Sequence, residues 1–142
     1  MRLVHWSNER LSSIYKVTQQ PGSYKPEGLW VSDESAFGWR DWCHIQEYPC
    51  GTVGTPIELL PGHNVLILRT VDEVLAFSKE FKSTVGIVDW VRAAQHYDGI
   101  VITPYQPNLR LTEETYWYYG WDCASGCIWR PQFVSIVDFS KE

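Results

Sequence analysis

Lys25-Pro-Glu-Gly-Leu-Trp-Val-Ser-Asp33 decides the reading of this chain, taken together with the earlier Val4-His5-Trp6-Ser7. Pro26 and Gly28 punctuate a turn, and Gly28 to Ser32 then reads as a short strand. Trp30 stands at its middle, with Gly28 and Ser32 two residues to either side and therefore on the same face. Small–aromatic–small leaves a flat indole with open space around it, suited to stacking on a base or a nicotinamide. The plainer alternative is that Trp30 fills a core and Gly28 ends the turn. Arg2 to Trp6 alternates as a second strand carrying His5, and Ser7 follows at the same-face spacing of two. A histidine and a serine side by side can hydrogen-bond the vicinal hydroxyls of a ribose. Two such strands form the walls of a slot for a flat, polar ligand.

Working outward, Ser7 or Asn8 caps a short helix with Leu11 and Ile14 on one face. Gln19 to Ser23 is a loop. Ser32 or Asp33 caps a helix carrying Phe37, Trp39, Trp42 and Cys43, and the Gly-rich Pro49 to Thr55 is loop. Ile57 to Leu60 and Asn64 to Arg69 are strands. Thr70 with Glu73 three residues on makes a capping box ahead of Val74, Leu75, Phe77 and Phe81. Asp89 to Tyr97 is a further short helix and Gly99 to Thr103 a buried strand. Tyr116 to Tyr119 and Cys127 to Trp129 are strand candidates, and Gln132 to Phe139 closes the chain as a strand. Strands outnumber helices without βα alternation, which predicts an α+β fold in a single domain spanning 1–142, built of two short mixed or antiparallel sheets and a few short helices.

The 142 residues are enough to bury a core without staples, but eight Trp, eight Tyr and five Phe make 15% aromatic content, more tryptophan than such a core needs. The formal charge of −5 and the absence of a basic run argue against binding by phosphate neutralisation. No apolar segment approaches the roughly 20 residues of a membrane span, and the N-terminus lacks a signal peptide, so the expected location is cytoplasmic. Cys43, Cys50, Cys123 and Cys127 then read as free thiols. Their three- and six-residue spacings differ from zinc knuckles, and no metal site is assigned. Cys127 with one of His5, His44, His63 or His96 is a candidate nucleophile that no motif supports.

The order of a His strand, a short helix, a Gly-aromatic strand, a helix and several further strands resembles the ADP-ribosyltransferase superfamily, in its diphtheria toxin and poly(ADP-ribose) polymerase branch. Val4-His5-Trp6-Ser7 matches that branch's first motif, a His closely followed by a small residue. Gly28-Leu29-Trp30-Val31-Ser32 matches the second, with Trp30 in place of a tyrosine. A family aromatic one helix later, which stacks on the other face of nicotinamide, corresponds to Trp39 or Trp42. The resemblance implies NAD as a substrate, with His5 and Ser7 on a ribose and Gly28, Trp30 and Ser32 around the nicotinamide.

The third motif departs from the pattern. The family's catalytic glutamate opens a late strand, but none precedes Ala124-Ser-Gly-Cys-Ile-Trp129. Asp122 or Ser125 is the candidate group facing the anomeric carbon, while a solvated turn is the ordinary use of an aspartate such as Asp122. Two functional expectations follow. One is a small transferase that moves ADP-ribose from NAD to a protein or nucleic-acid acceptor, as a toxin or host-directed factor would. The other is a catalytically silent protein on the same scaffold that grips a partner protein through an acidic, aromatic surface. Whether the chain is an enzyme is left open by the missing glutamate.

Overall fold

A computed structural model describes residues 1–137. They form one α+β domain around a seven-stranded mixed sheet. Strand β1 (Leu3–Ser7) lies antiparallel to β2 (Leu29–Asp33), with Leu3 opposite Asp33 and Val4 opposite Ser32. Following α1 (Trp39–Gln46), β3 (Val53–Leu59) flanks β1 in continuous register from Leu3↔Ile57 to Ser7↔Val53. Next come β4 (Val65–Leu68), α2 (Val71–Glu80), a small hairpin of β5 (Lys82–Thr84) and β6 (Ile87–Val88), and α3 (Trp90–His96). This crossover returns the chain to β7 (Gly99–Ile102), parallel to β4 as a crossover of that length permits. Two 3₁₀ turns, Pro107–Leu109 and Tyr116–Gly120, lead to β8 (Ser125–Ile128) and the edge strand β9 (Val134–Ile136). The order across the sheet is β4-β7-β8-β2-β1-β3-β9.

The two separate sheets expected are thus one large sheet and a hairpin. The join is β8, which pairs with β2 on one side and β7 on the other. Gly126 makes that possible: a Cβ there would lie 2.3 Å from the Ile100 carbonyl oxygen and 2.6 Å from a Val101 methyl. Gly28 serves the same junction, since its φ is +153° and a Cβ would fall 2.4 Å from the Ile128 carbonyl oxygen.

Each face of the sheet buries its own apolar cluster. Val74, Phe77, Phe81, Trp90, Trp117, Tyr118, Trp121 and Trp129 pack over one face with Ile100 and Ile102, and α2 and α3 contribute to it. Leu3, Val31, Ile57, Val65, Val101 and Ile128 form the other. Most of the tryptophan surplus therefore belongs to ordinary core, where full burial of each ring contributes about 2–3 kcal/mol.

Several local expectations hold and several fail for identifiable reasons. Thr70 caps α2, its hydroxyl accepting from the Glu73 amide at 3.1 Å and facing the Glu73 carboxylate at 3.3 Å. Asp89 caps α3 through the Arg92 amide. No helix forms after Ser7. Instead the Leu11 amide donates to Thr55 Oγ1 at 3.1 Å and the Val17 amide to the Trp129 carbonyl at 2.9 Å. Leu11 and Ile14 pack against the second cluster from this extended strap. Gly38, not Ser32 or Asp33, stands at the N-terminus of α1, because Asp33 is built into β2 and its carboxylate is engaged elsewhere. Tyr116 to Tyr119 is a 3₁₀ turn, which buries the adjacent Trp117 and Tyr118 where a strand would send them to opposite faces. Val53 to Thr55 belongs to β3 instead of a loop, and part of the expected Gln132–Phe139 strand lies outside the described residues.

Replacing Gly126 with alanine should cost about 2–3 kcal/mol, because the β7 backbone at Ile100 and Val101 must move aside. Urea denaturation of Gly126→Ala measures this, and an unchanged midpoint would show that β8 does not pack between β2 and β7 as described.

Candidate functional site

Paired residues of β1 and β2 stop at Val4↔Ser32. Beyond that point the two strands part, and the His5 imidazole takes up the free carbonyl: Nδ1 lies 2.7 Å from the Trp30 oxygen. A carbonyl only accepts, so Nδ1 carries the proton and donates, leaving Nε2 without one in the neutral ring. A cleft of about 330 Å³ opens over the divergence.

His5 and Trp30 border one cleft from neighbouring strands, as expected, but they reach it from opposite faces of the sheet. Leu3, His5 and Ser7 point to one side of β1, Val4 and Trp6 to the other. With Val4 opposite Ser32, the ring that shares Trp30's face is Trp6. His5 belongs to the face of Leu3 and Val31, and reaches the cleft only where the strands separate. Ser7 sits on that same reverse face and binds the Glu9 carbonyl.

Six of the nine residues nominated from sequence border the cleft: His5, Trp30, Ser32, Trp39, Asp122 and Ser125. Ser7, Gly28 and Trp42 do not. Gly28 is spent on close approach to β8, and Trp42 stacks behind Trp39 at 5.0 Å, one ring removed from the opening. Three further residues escaped sequence reasoning. Trp6 was hidden by attention to its neighbour His5, although alternation from Val4 places it on the floor. Trp121 crosses Trp30 edge-on at 5.0 Å, and among the described residues its Nε1 is the buried side-chain nitrogen without a hydrogen-bond partner. Lys25 holds its ammonium 5.2 Å from the centre of the Trp30 ring, a cation–π contact.

The polar groups are ordered by two adjacent carboxylates. Glu34 Oε1 accepts from Trp6 Nε1 and from Ser32 Oγ, each at 2.6 Å, so it fixes a floor ring and a floor hydroxyl together. Arg40 covers the Trp6 ring at 5.7 Å. Asp33 accepts at Oδ1 from the Arg2 amide and from Ser35, and at Oδ2 from Thr103 Oγ1 at 2.6 Å, joining β1, β2 and the end of β7. Burial alone would raise its pKa, but the four hydrogen bonds outweigh that and hold the carboxyl below its ordinary value. Ser125 donates to the Cys123 carbonyl at 3.0 Å. Asp122 is the only carboxylate residue on the cleft wall among the described residues.

The three buried thiols, Cys43, Cys123 and Cys127, are not poised as nucleophiles. Burial pushes Cys43 up to about 11, with neighbouring Cys50 adding to the effect, and Cys123 up to about 12. Burial also raises Cys127, which faces the Pro26 carbonyl in the core. A thiol must ionise to attack, and these are held neutral near pH 7. Among the described residues no group of three His, Cys, Asp or Glu is placed to hold a metal, and no helix is long and apolar enough to cross a membrane. Tyr105 stacks on Tyr118 at 5.4 Å, away from the cleft lining.

Comparison with protein-family profiles, with curated proteins and with solved structures gives no match to this chain.

Because the folded Asp33 carboxyl titrates below its ordinary 3.8, its stabilisation is complete above that pH and fades as pH falls through the lower folded value. Asp33→Asn should lose about 2 kcal/mol at pH 7, the scale of hydrogen bonds to a charged acceptor, and show a shallower loss of stability in acid. Urea midpoints measured across that range test this; parallel pH profiles for the two proteins would contradict it.

Proposed function

We propose that the cleft binds the nicotinamide end of NAD and that the chain acts as an ADP-ribosyltransferase-like protein toward a macromolecular acceptor. The observation that carries this reading is the gathering of indole faces, hydroxyls and one carboxylate at the parting of β1 and β2. Trp6, Trp30 and Trp39 offer aromatic surface to a flat ring, and Asp122 and Ser125 supply polar groups beside it. A pyridinium ring suits such walls, since indole faces attract cations. The sequence resemblance supplies the reaction class, and the cleft's contents are consistent with its needs.

In this proposal the bond between C1′ of the ribose and the nicotinamide nitrogen breaks, and the bonding pair leaves with nicotinamide, neutralising its ring. Positive charge then develops at C1′. Asp122 stabilises that charge electrostatically, in a site where indoles exclude much of the water. The acceptor's nucleophilic atom attacks C1′, forming the new glycosidic bond, and its proton passes to solvent. His5 braces the cleft through the Trp30 carbonyl, so the ribose role expected for it passes to the hydroxyl-bearing wall.

A second reading has its own support. With no glutamate on the cleft wall among the described residues, the same pocket suits a silent binder that holds a ligand without cleaving it.

Nicotinamide release from NAD, followed by chromatography alongside tryptophan fluorescence, separates the two. The transferase reading predicts quenching with release, and Asp122→Asn should slow release on the order of 100-fold while keeping the quench. Quenching without release in the native protein selects the silent binder. Neither signal would remove NAD from the account.

A further inference from the structure

The strap between β1 and β2 is irregular but tightly pinned around Lys25. Gln19 is 5% exposed, and its side-chain amide closes the loop by donating to the Glu27 carbonyl at 2.7 Å and accepting from the Glu27 amide at 2.8 Å. Trp90 Nε1 donates to the Tyr24 carbonyl at 3.1 Å, and the Cys127 thiol faces the Pro26 carbonyl at 3.7 Å. The backbone is thus anchored on both sides of Lys25. The side chain then runs across Gly120, where a Cβ would come within 2.7 Å of its Cε, so the absence of a side chain there leaves its path open.

This arrangement delivers an ammonium to the Trp30 ring with no ion-pair partner among the described residues. The ion pair seen among the described residues is Arg130 with Asp98, and Lys25 takes no part in it. Asp122 borders the same cleft but makes no ion pair with Lys25. A lysine loses substantial rotamer freedom when held in one place, and an indole face returns only a modest part of that at an exposed site.

We infer that Lys25 is a specificity residue that selects a phosphorylated nucleotide over its nucleoside, by binding the phosphate beside the ring that occupies Trp30. Resting on the nicotinamide-binding reading above, it names a chemical feature that the ligand must carry. The ammonium over the indole marks where a flat cation sits. When a pyridinium takes the indole face, Lys25 moves off it to the 5′-phosphate, so one cation replaces another on the ring. The displaced ammonium exchanges a cation–π contact for a charge-assisted hydrogen bond to an anion, the stronger interaction. Asp122 repels the phosphate from its own part of the wall and so favours the Lys25 side.

Calorimetric titration of the full chain with nicotinamide mononucleotide and with nicotinamide riboside tests this, using the native protein, Lys25→Met and Lys25→Arg. The native protein should bind the mononucleotide about tenfold or more tighter than the riboside, the scale of one charge-assisted contact. Lys25→Met should erase that preference, leaving riboside affinity equal or higher because the indole face is now vacant. Lys25→Arg should restore the preference. Equal affinities of the native protein for the two ligands, or an equal loss of both in Lys25→Met, would overturn the assignment while leaving nicotinamide binding intact. Failure of both ligands to bind the native protein would instead refute the nicotinamide reading itself, and this assignment with it.

Discussion

The molecule depends on where β1 and β2 stop pairing. In a continuous antiparallel ladder, the Trp30 carbonyl would take a main-chain amide from β1. Here an imidazole takes it instead, and the strands are free to separate while no buried acceptor is left unpaired. Removing a ladder bond from the middle of a sheet is costly unless every freed group finds a partner, which confines such an opening to a place where a side chain of the right reach is available. On its other edge β1 keeps full register with β3 to Ser7, so the divergence is borne by one interface alone.

Two acids stabilise the margin of the opening. Asp33, 3% exposed, ties β1, β2 and the residue following β7 together just before the strands diverge. Glu34 then holds two lining residues, Trp6 and Ser32, with one oxygen. Rigid rings result, and rigidity matters because a preformed pocket spares its ligand the cost of ordering the walls. Opposite them, Trp121 belongs to the core and to the cleft wall at once, so it couples the site to the packing of Trp117 and Tyr118. The tryptophans are therefore divided: Trp90, Trp117 and Trp129 are core, Trp6, Trp30 and Trp39 are wall, Trp121 is both, and Trp42 backs Trp39.

Much of this was legible in the residues. The strands around His5 and Trp30 and the capping box at Thr70 follow from local pattern, and so does the buried run of Gly99 to Ile102. Asp122 and Ser125 could be nominated because the resemblance places its acidic group at the opening of this late strand. What was not legible depends on pairing across distance. Nothing local says that Leu11 and Val17 spend their amides on Thr55 and Trp129, so the strap looked helical. The face shared by Trp6 and Trp30 is set by the Val4↔Ser32 register, and a one-residue slip would have put His5 there instead. Lys25 carries no motif at all. Its position follows from Gln19, Trp90 and Cys127 anchoring the loop around it.

The account rests on the parted strands forming a hollow that a nicotinamide ring enters. Indole Nε1–H resonances of the eight tryptophans, recorded as nicotinamide mononucleotide is added, read this residue by residue. The signals of Trp6, Trp30 and Trp39 should shift together and saturably, while those of Trp90, Trp117 and Trp129 stay in place. A spectrum in which the wall tryptophans are unmoved, or in which the core tryptophans move with them, would contradict it.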